Sequence, residues 1–537
     1  MAVNDGPYTT LRDIPLHVSA PGPLGNDTDP DGDQPLEAGW WANPVHGTLD
    51  LRVNGEFTYT PSGGYVGTDS FQYKAFDGIA YSIQPGTVSL AVAGLKVRSV
   101  DFLGDNPVYR DPDQSNPYPS PYPDPLWLDA NGDGDATDPG DNLGPVCYVR
   151  AETMHVTTTF TLDRSWTNGG TIMISAVSND GINIPWTAAT VNGTTVTITN
   201  AAASTAFPNV VKHYDDLVLY WYATVLGQTA TTLVGTTSND VYLTYAQPAS
   251  TLYHTVLHLG SHYAQGADNE TDVILGVWNN VLHYNSVQRV DGIPLWYYHD
   301  YRSMNTDTRT LLIPHATGDG TLGDGQCNAW ASLMLSVLGA QGIQRANSHV
   351  RIEILTTGQP TDPTSFFVNF WQFGTAHADA AIQRAPGSEL DSIIAAYPYL
   401  NVRQADGSYV NAQGNGYTFR FADVTDSPGT QGKGPNNNPA SIFARHMFTQ
   451  STIGTDTIWF DPSYGCCYSG ATKEARELDF DDGSIAAYCV LETADVRVSV
   501  IQVDLNGDGD TTDVVASPVI LSRENCIGVR EVVAILS

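Results

Sequence analysis

The first 94 residues consist of short segments in which apolar and polar residues alternate, and turn-forming residues interrupt them at intervals of about eight to twelve residues. An alternation of period two places one side of each segment in a core, and such frequent turns leave no length for a helix. The same alternation in short segments continues from Gly94 to about Ser250, for example in HVTTTFTL and TTVTITN. With 50 glycines and 32 prolines in the chain, this pattern predicts two successive β-sandwich-like domains.

The length and charge of the chain exclude several classes of protein. At 537 residues it is too long for one hydrophobic core. Its 58 acidic and 24 basic residues give a net charge of −34, which argues against nucleic acid or an anionic membrane as partner. No apolar run is long enough for membrane insertion, and no signal peptide precedes Ala2. We expect a secreted or cell-surface location and interpret Met1 as an added start on a piece of a longer secreted protein.

Four motifs occur in a fixed order in the first segment: NDTDPDGD, HGTL, FTYTP and GTDSFQY. Together they resemble the bacterial Ig-like, cadherin-like repeats of adhesin-type proteins, over residues 2–93. The resemblance implies an Ig-like spacer or adhesive module, often calcium-bound. Several carboxylate oxygens in one short loop suit a hard cation, although a solvated turn is the alternative. The predicted calcium ligands of this loop are Asp27, Asp29, Asp31 and Asp33.

Two similar acidic loops lie far apart in the chain, DANGDGDATD from Asp129 and DLNGDGDTTD from Asp504. Both resemble the first half of an EF-hand or dockerin loop, but position twelve is Gly140 in one and Val515 in the other instead of a bidentate acid. The flanking segments are strand-like. We predict structural Ca²⁺ loops on β-hairpins, with a polar hairpin tip as the alternative. The predicted ligands are Asp129, Asn131, Asp133, Asp135, Asp138, Asp504, Asn506, Asp508, Asp510 and Asp513.

After residue 250 the patterns become helical, and the clearest helix follows Cys327 in GDGQCNAWASLMLSVLGAQ. Apolar residues recur with helical spacing from Trp330 to Leu338, which predicts an amphipathic helix. Asp324 and Gly325 would form the turn before it. A thiol on the first turn lies at the positive end of the helix dipole, which favours the thiolate form. Cys327 is therefore a candidate nucleophile, with a small buried hydrophobic residue as the alternative.

A nucleophilic thiol needs a base and a group that orients the base. His446 lies in the strand-like segment ARHMFTQ, and after a GTD turn the apolar segment TIWF ends at Asp461. Antiparallel strands joined by this turn would bring the two side chains together, with the carboxylate fixing the imidazole tautomer. Other histidines lack a following WFDP-type strand, so core or surface roles are expected for His315, His349 and His377.

The segments GQCNAWA and GIQRA, then His446, then WFDPSYG with Asp461 resemble the transglutaminase-like cysteine family in its order Cys, His, Asp. The resemblance covers about residues 255–480 and implies a papain-like α+β domain. It implies that Cys327 is the nucleophile, His446 the base and then the acid, and Asp461 the orienting group.

Two further residues near the cysteine are given supporting roles. Trp330 matches the aromatic residue one turn beyond the family's nucleophile and is expected to pack in the core. The backbone amide of Cys327 would help to hold an oxyanion, and Gln326 is a weaker candidate because its side chain could instead cap the helix. The 118 residues between the cysteine and His446 include long polar loops, so substrate specificity does not follow from the resemblance.

Six cysteines are too few for a disulfide scaffold in a chain of this length. For Cys466 and Cys467 a vicinal disulfide, a pairing with Cys489 or Cys526, and a metal site all remain open. A structural disulfide is favoured, because neither a CxxC spacing nor a nearby histidine cluster supports zinc.

These patterns predict a multidomain organisation in four parts. The parts are a cadherin-like sandwich at 1–94, a β-rich domain at 95–250, a transglutaminase-like α+β domain at 251–485, and a C-terminal β segment at 486–537 that packs on the 95–250 domain.

The predicted function is a transglutaminase-like cysteine peptidase or acyltransferase that acts on protein or peptide amides through a thioester, without an organic cofactor. The alternative is a non-catalytic surface or filament protein that uses the same domain to bind neighbouring surface proteins or repeats.

Overall fold

A computed structural model describes most of the chain up to residue 353 and shorter segments beyond it. The described residues are 1–30, 32, 35–297, 305–317, 320–344, 349–353, 365–368, 401–403, 409–411, 442–443, 445–472, 475–476, 479–480, 485–489, 497–498, 519–520 and 530–533. The chain divides into two compact units. The first comprises Met1–Asn106, Tyr122–Pro208 and Tyr214–Val241, and the second comprises Pro107–Pro121, Asn209–His213 and Tyr242–Ser537.

In the first unit, residues 1–94 form two sheets around one apolar core. One sheet has the order β1-β7-β6-β3 and the other β2-β5-β4. The strands are β1 (Asp5–Leu11), β2 (Leu16–Val18), β3 (Glu37–Ala42), β4 (Gly47–Leu51), β5 (Phe57–Pro61), β6 (Gly67–Phe76) and β7 (Gly86–Ala93). Phe57 of β5 and Phe71 of β6 meet edge to face with ring centroids 5.1 Å apart. Burial of such rings and of aliphatic side chains from both sheets stabilises this sandwich.

A six-stranded sheet of order β10-β9-β8-β12-β16-β15 and a five-stranded sheet of order β11-β18-β17-β13-β14 follow. Their strands are β8 (Leu95–Leu103), β9 (Trp127–Leu128), β10 (Asn142–Leu143), β11 (Val146–Val149), β12 (His155–Leu162), β13 (Ile172–Val177), β14 (Ile184–Ala188), β15 (Thr190–Asn192), β16 (Thr195–Ala202), β17 (Lys212–Val225) and β18 (Thr232–Thr244). Phe160 of β12 faces Trp221 of β17 across the two sheets, with ring centroids 5.6 Å apart. The predicted β-sandwich character of the N-terminal part is confirmed.

Four short α-helices of the second unit are described over their full length. They are α1 (His254–Tyr263), α2 (Glu270–Val277), α3 (Thr308–Leu312) and α4 (Cys327–Ala340), with a π-helical turn at Trp278–Leu282 after α2. Asn269 caps α2 by accepting a hydrogen bond from the Asp272 amide at 3.0 Å, which satisfies one of the unpaired N–H groups of the first turn.

Two sheets of this unit flank the start of α4. The first has the order β19-β20-β22-β21, from β19 (Val287–Gln288), β20 (Pro294–Tyr297), β21 (His315–Thr317) and β22 (Gly320–Gly325). The second has the order β30-β29-β28-β23-β34, from β23 (His349–Glu353), β28 (Arg445–Ile453), β29 (Asp456–Asp461), β30 (Cys466–Ser469) and β34 (Arg530–Val533).

Seven shorter strands form the remaining described pairings. A five-stranded sheet has the order β26-β25-β31-β24-β27, and β32 pairs with β33. These strands are β24 (Ser365–Val368), β25 (Asn401–Arg403), β26 (Tyr409–Asn411), β27 (Ile442–Phe443), β31 (Ile485–Cys489), β32 (Arg497–Val498) and β33 (Val519–Ile520).

The C-terminal strand β34 differs from expectation in its partner. It pairs with β23 of the second unit, whereas the shared acidic loop motif predicts packing on residues 95–250. The edge of β23 offers unpaired backbone groups to β34, and a loop motif carries no information about which sheet edge a following strand joins.

The helix predicted after Cys327 is confirmed as α4, but two details of the prediction are wrong. The helix is buried on most of its surface rather than amphipathic, because Ala329 and Ala331 are as fully buried as Trp330. The turn predicted at Asp324 is absent, since this residue belongs to β22 and pairs with Trp296 of β20. Alanines between large apolar residues allow neighbouring elements to approach a helix from several sides. The spacing of the large apolar residues alone does not reveal that these alanines are buried.

Within the described part of the chain, no helix has the length and apolar composition needed to cross a membrane.

Candidate active site

His446 and Asp461 are neighbouring side chains of one β-hairpin. Strands β28 and β29 are antiparallel, and their turn contains Gly454 with a φ of 62°, a conformation that glycine adopts readily. The Nε2 atom of His446 lies 2.8 Å from Oδ2 of Asp461, and the side chains are 1% and 0% exposed. The predicted hairpin is confirmed, and it brings the candidate base and the candidate orienting group into direct hydrogen bonding.

Backbone groups hold the aspartate in place. Its Oδ1 atom accepts a hydrogen bond from the Ser463 amide at 3.0 Å, and its carbonyl oxygen accepts one from the Gly465 amide at 2.8 Å. Both carboxylate oxygens of Asp461 therefore have partners, as a buried carboxylate requires. The carboxylate is fixed before any substrate arrives.

Helix α4 begins at Cys327, which is 8% exposed. The helix is held against β28 by a buried hydrogen bond in which the Thr449 hydroxyl donates to the Ala331 carbonyl at 3.3 Å. The negative charge of the Cys327 thiolate acts on the His446 imidazole and raises its pKa. Because Nε2 of the ring is bonded to Asp461, Nδ1 is the nitrogen left for the sulfur. The structure thus brings the three predicted residues together in the order Cys, His, Asp.

The electrostatic surroundings of His446 favour an imidazolium ion. Burial of the ring alone lowers its pKa, because burial removes water from the charged form. The negative charges of Asp461 and of the Cys327 thiolate, with hydrogen bonds to both groups, outweigh that effect and raise the pKa of His446 to about 10. With its cysteine ionised, the histidine stays protonated at neutral pH, which is the charge state of a thiolate–imidazolium pair.

Two buried tyrosines surround the pair. Strand β20 runs parallel to β22 with Tyr297 opposite Gly325, which brings it to the start of α4. The Tyr464 ring lies 5.1 Å from the Tyr297 ring and 5.6 Å from the His446 ring, measured between centroids. Burial, with the negative charges of Cys327 and Asp461, raises the pKa of both phenols well above its usual range. Both hydroxyls therefore remain neutral at physiological pH.

Sequence reasoning did not identify these tyrosines. Tyr464 lies within the quoted WFDPSYG, three residues after Asp461, so its proximity could have been inferred. Tyr297 has no local signal, because only the parallel pairing of β20 with β22 brings it near the cysteine.

The two supporting residues differ in what the structure shows. Trp330 is fully buried, and its indole nitrogen donates to the Trp296 carbonyl at 3.3 Å, so its predicted packing role is confirmed. Gln326 is the N-cap of α4 but makes no side-chain cap, and its amide donates to the Asn305 carbonyl at 3.0 Å. The Cys327 amide lies in the first turn, where N–H groups have no intrahelical acceptor, so it could face an oxyanion.

The disulfide favoured for the GCC segment is not present. Cys466 is a thiol whose sulfur donates to the Tyr464 carbonyl at 3.6 Å, and Cys467 is an exposed thiol. Cys467 and Cys466 occupy successive positions of β30, opposite Phe460 and Asp461. Successive side chains of a strand point to opposite faces, which keeps the two sulfurs apart.

The first acidic loop lies on a β-hairpin, as predicted. It connects β9 to β10, which pair in antiparallel register. Asp129 is buried, and its carboxylate accepts hydrogen bonds from the amides of Gly132 and Gly134, the latter at 2.9 Å. Gly134 has a φ of 114°, a conformation that favours glycine. Asp129 therefore shapes the tight turn of the loop.

The exposed acids of this loop converge. One carboxylate oxygen from each of Asp133, Asp135 and Asp138 lies within 4.8 Å of the others. Asn131 donates to Asp133 at 3.0 Å and to Asp138 at 2.7 Å. The pKa of Asp138 is raised, first by its hydrogen bond with Asp133 and then by the neighbouring carboxylates. Oxygen ligands of this kind fit a hard divalent cation such as Ca²⁺.

The other predicted calcium ligands are only partly described. Asp27 accepts hydrogen bonds from the Val3 amide at 2.7 Å and from the Tyr73 hydroxyl at 2.9 Å, and Asp29 is half-buried. Ion binding by this loop stays a prediction. The predicted ligands that lie outside the described residues are Asp31, Asp33, Asp504, Asn506, Asp508, Asp510 and Asp513.

The structure describes two of the three histidines set aside in the sequence, and for His349 it describes only the backbone. His315 lies in β21 with Nε2 3.7 Å from the Asp324 carboxylate, and His349 begins β23. His377 lies outside the described residues, as does most of the polar insertion before His446.

Comparisons with solved structures give only distant similarities. An endo-fucoidan hydrolase, MfFcnA4 from glycoside hydrolase family 107, is 13% identical, with 45% of this chain and 27% of that chain covered and a TM-score of 0.16. A chimeric titin Z1Z2 is 12% identical, with coverages of 44% and 90% and a TM-score of 0.17. Chicken VE-cadherin EC1-2 is 10% identical, with coverages of 44% and 96% and a TM-score of 0.13. The chain thus spans less than a third of the hydrolase, and scores this low carry no functional argument.

No curated protein matches the chain. Residues 2–94 match the family profile of the bacterial cadherin-like domain, in agreement with the two-sheet sandwich observed there. The N-terminal segment of this chain is therefore a bacterial cadherin-like domain.

Proposed function

We propose that the second unit is a transglutaminase-like cysteine enzyme of a secreted or cell-surface protein, acting on peptide or glutaminyl amides through a thioester. The observation that carries the proposal is the buried chain of contacts from Cys327 through His446 to Asp461. Composition alone does not produce such a chain, since its members lie 119 and 15 positions apart in sequence. A non-catalytic adhesive role is the competing proposal, supported by the cadherin-like domain.

In the first half-reaction, the Cys327 sulfur attacks the amide carbonyl carbon and forms a tetrahedral oxyanion, toward which the Cys327 backbone amide can donate. The imidazolium of His446 then gives its Nδ1 proton to the departing nitrogen, the C–N bond breaks and ammonia or an amine leaves. Asp461 holds the ring through Nε2 during this transfer. The acyl group remains on the sulfur as a thioester.

In the second half-reaction, neutral His446 takes a proton from water or a primary amine, which attacks the thioester carbonyl. The C–S bond breaks and the thiolate is regenerated beside the imidazolium. Water gives a carboxylic acid and an amine gives a new amide, so hydrolysis and transamidation use the same three residues.

The charge state of the pair gives a first test. Because the pKa of His446 is raised to about 10, a cation beside the Cys327 sulfur should stabilise its thiolate, and iodoacetamide should alkylate Cys327 rapidly even at pH 6. We expect the rate of Cys327 alkylation to fall at least tenfold in His446→Ala. Without the imidazolium to stabilise it, little of a cysteine is present as thiolate at pH 6. Peptide mapping by mass spectrometry measures the alkylation of each cysteine.

The chain provides an internal control for this test. Cys467 is exposed, but partial burial of its thiol and the nearby charge of Asp479 raise its pKa. Its alkylation should be slow at pH 6 and identical in both proteins. Equal rates at Cys327 in the two proteins would contradict the ion pair and favour the adhesive alternative.

We also propose that the 129–141 loop binds Ca²⁺ and rigidifies the second β-sandwich. Chelation with EDTA should lower the melting temperature by several degrees, because binding to the folded state alone stabilises it. In Asp133→Asn/Asp138→Asn the response to EDTA should shrink, whereas Asp180→Asn, at an exposed acid of the same sandwich outside the loop, should respond as the wild type does. Differential scanning calorimetry with EDTA or with added Ca²⁺ measures the melting temperature. A melting temperature that neither treatment changes would count against this site.

A further inference from the structure

Three histidines of the second unit, outside the Cys327 site, bring their ring nitrogens together. His213 lies near the start of β17, and His258 and His262 lie one turn apart on α1. One ring nitrogen from each lies within 4.8 Å of the other two. The Nδ1 atoms of His213 and His262 are 3.1 Å apart.

The rings are held by stacking and by one tyrosine. The His258 and His262 rings stack with centroids 4.7 Å apart and planes 14° apart. His213 is 7% exposed and stacks on Tyr242 with centroids 4.2 Å apart and planes 2° apart. The Tyr242 hydroxyl lies 3.2 Å from Nδ1 of His258. The cluster is therefore already ordered, with little rotamer freedom left to lose on binding a ligand.

The distance between the His213 and His262 nitrogens matches that between two ligands of one metal ion. A tetrahedral centre with Zn–N bonds of about 2.0–2.1 Å separates its ligand nitrogens by about 3.3 Å. The separation of 3.1 Å between His213 and His262 is close to this value. Imidazole is a preferred ligand of Zn²⁺ and neighbouring divalent transition metals, and not of Ca²⁺. Three imidazoles leave a fourth position for solvent.

We propose that His213, His258 and His262 form a binding site for a divalent transition metal of the Zn²⁺ type. Tyr242, whose hydroxyl lies 3.2 Å from Nδ1 of His258, would serve as an outer contact that orients this ring and leaves its Nε2 for the metal. The sequence signal is the spacing HTVLHLGSH, which repeats histidine every four residues on α1.

A metal at this site would tie α1 to the chain around His213. Helix α1 contacts the C-cap of α4 through a buried hydrogen bond in which the side-chain amide of Gln341 donates to the Ser261 hydroxyl at 2.9 Å. Ser261 directly precedes His262. Metal binding should therefore raise the thermal stability of the unit that carries Cys327.

The test is equilibrium dialysis of the full chain against Zn²⁺, in a Cys327→Ser background and with millimolar Ca²⁺. The serine removes one thiol as a competing ligand, and Ca²⁺ saturates the oxygen-rich loops. We expect one Zn²⁺ per chain and, with Co²⁺ instead, visible absorption bands of a tetrahedral site. The double variant His258→Gln/His262→Gln should no longer bind this Zn²⁺ ion. The variant Tyr242→Phe should bind Zn²⁺ about 10- to 100-fold more weakly than the parent.

His17→Gln is the matched control, because His17 is exposed on the cadherin-like domain and should leave the stoichiometry unchanged. Both glutamine substitutions are at half-buried positions, and circular dichroism of the metal-free proteins checks that the variants fold. The proposal would be overturned if the folded double variant still binds one Zn²⁺ per chain. It would also be overturned if the parent binds no Zn²⁺ at about 10 µM free Zn²⁺.

Discussion

Replacement of Cys327 by alanine should reduce kcat/KM for glutaminyl amides by at least about 10⁴-fold, because the proposed thioester forms on its sulfur. The variant should still melt cooperatively, since the substitution removes one sulfur atom from the start of a helix whose remaining contacts are intact. Mass spectrometry of a glutaminyl peptide, incubated with and without a primary amine, measures both possible reactions at once. A glutamate product indicates hydrolysis, and an amine adduct indicates transfer.

Cys466→Ala is the matched control for this experiment. Cys466 is 4% exposed and lies opposite Asp461 in the β29–β30 pairing, but it has no part in the proposed chemistry. Its activity should stay within a few-fold of wild type. If a broad panel of peptides gives neither product with the wild-type protein, the enzyme proposal fails and the adhesive one gains support. That outcome leaves the histidine metal site testable, because its readout is metal binding and not turnover.

The parts of the site that the sequence predicts are those encoded locally. His446 and Asp461 are 15 residues apart with a GTD turn between two strand-like segments, and a hairpin follows from turn chemistry and alternation. The acidic loop at Asp129 is local in the same sense, and its position on the β9–β10 hairpin is confirmed. Short-range patterns fix which side chains meet when a single turn separates them.

The parts that the sequence misses depend on pairings between distant segments. Tyr297 reaches the cysteine only through the parallel pairing of β20 with β22. His213 and His262 are 49 positions apart in sequence, and only the folding of distant segments brings their ring nitrogens together. The histidines repeated in HTVLHLGSH are a local signal, but they do not identify His213 as the third member. Neither partner choice is determined by periodicity, since many strand edges and helix faces satisfy the same pattern.

The second large effect is expected from Asp461→Asn. Asparagine can keep the hydrogen bond from the Ser463 amide through its carbonyl oxygen, so the hairpin should fold. Its NH₂ group cannot accept the proton of Nε2 and instead favours the wrong imidazole tautomer. We expect kcat/KM to fall by about 10²- to 10⁴-fold, which steady-state kinetics on the responsive peptide measures. Asp456→Asn, at the exposed start of the same strand, should stay close to wild type.

The same substitution should change how stability depends on pH. The folded-state pKa of His446, about 10, is above its unfolded value near 6.5, so the folded state binds more protons between these values. Its contribution to the free energy of unfolding is full below pH 6.5 and is lost as the pH rises to 10. Removal of the Asp461 charge lowers the folded-state pKa, so urea unfolding of Asp461→Asn should show a weaker decline between pH 6.5 and 10 than wild type. Parallel declines in the two proteins would mean that Asp461 does not hold the proton on His446, and the orienting role assigned to it would be wrong.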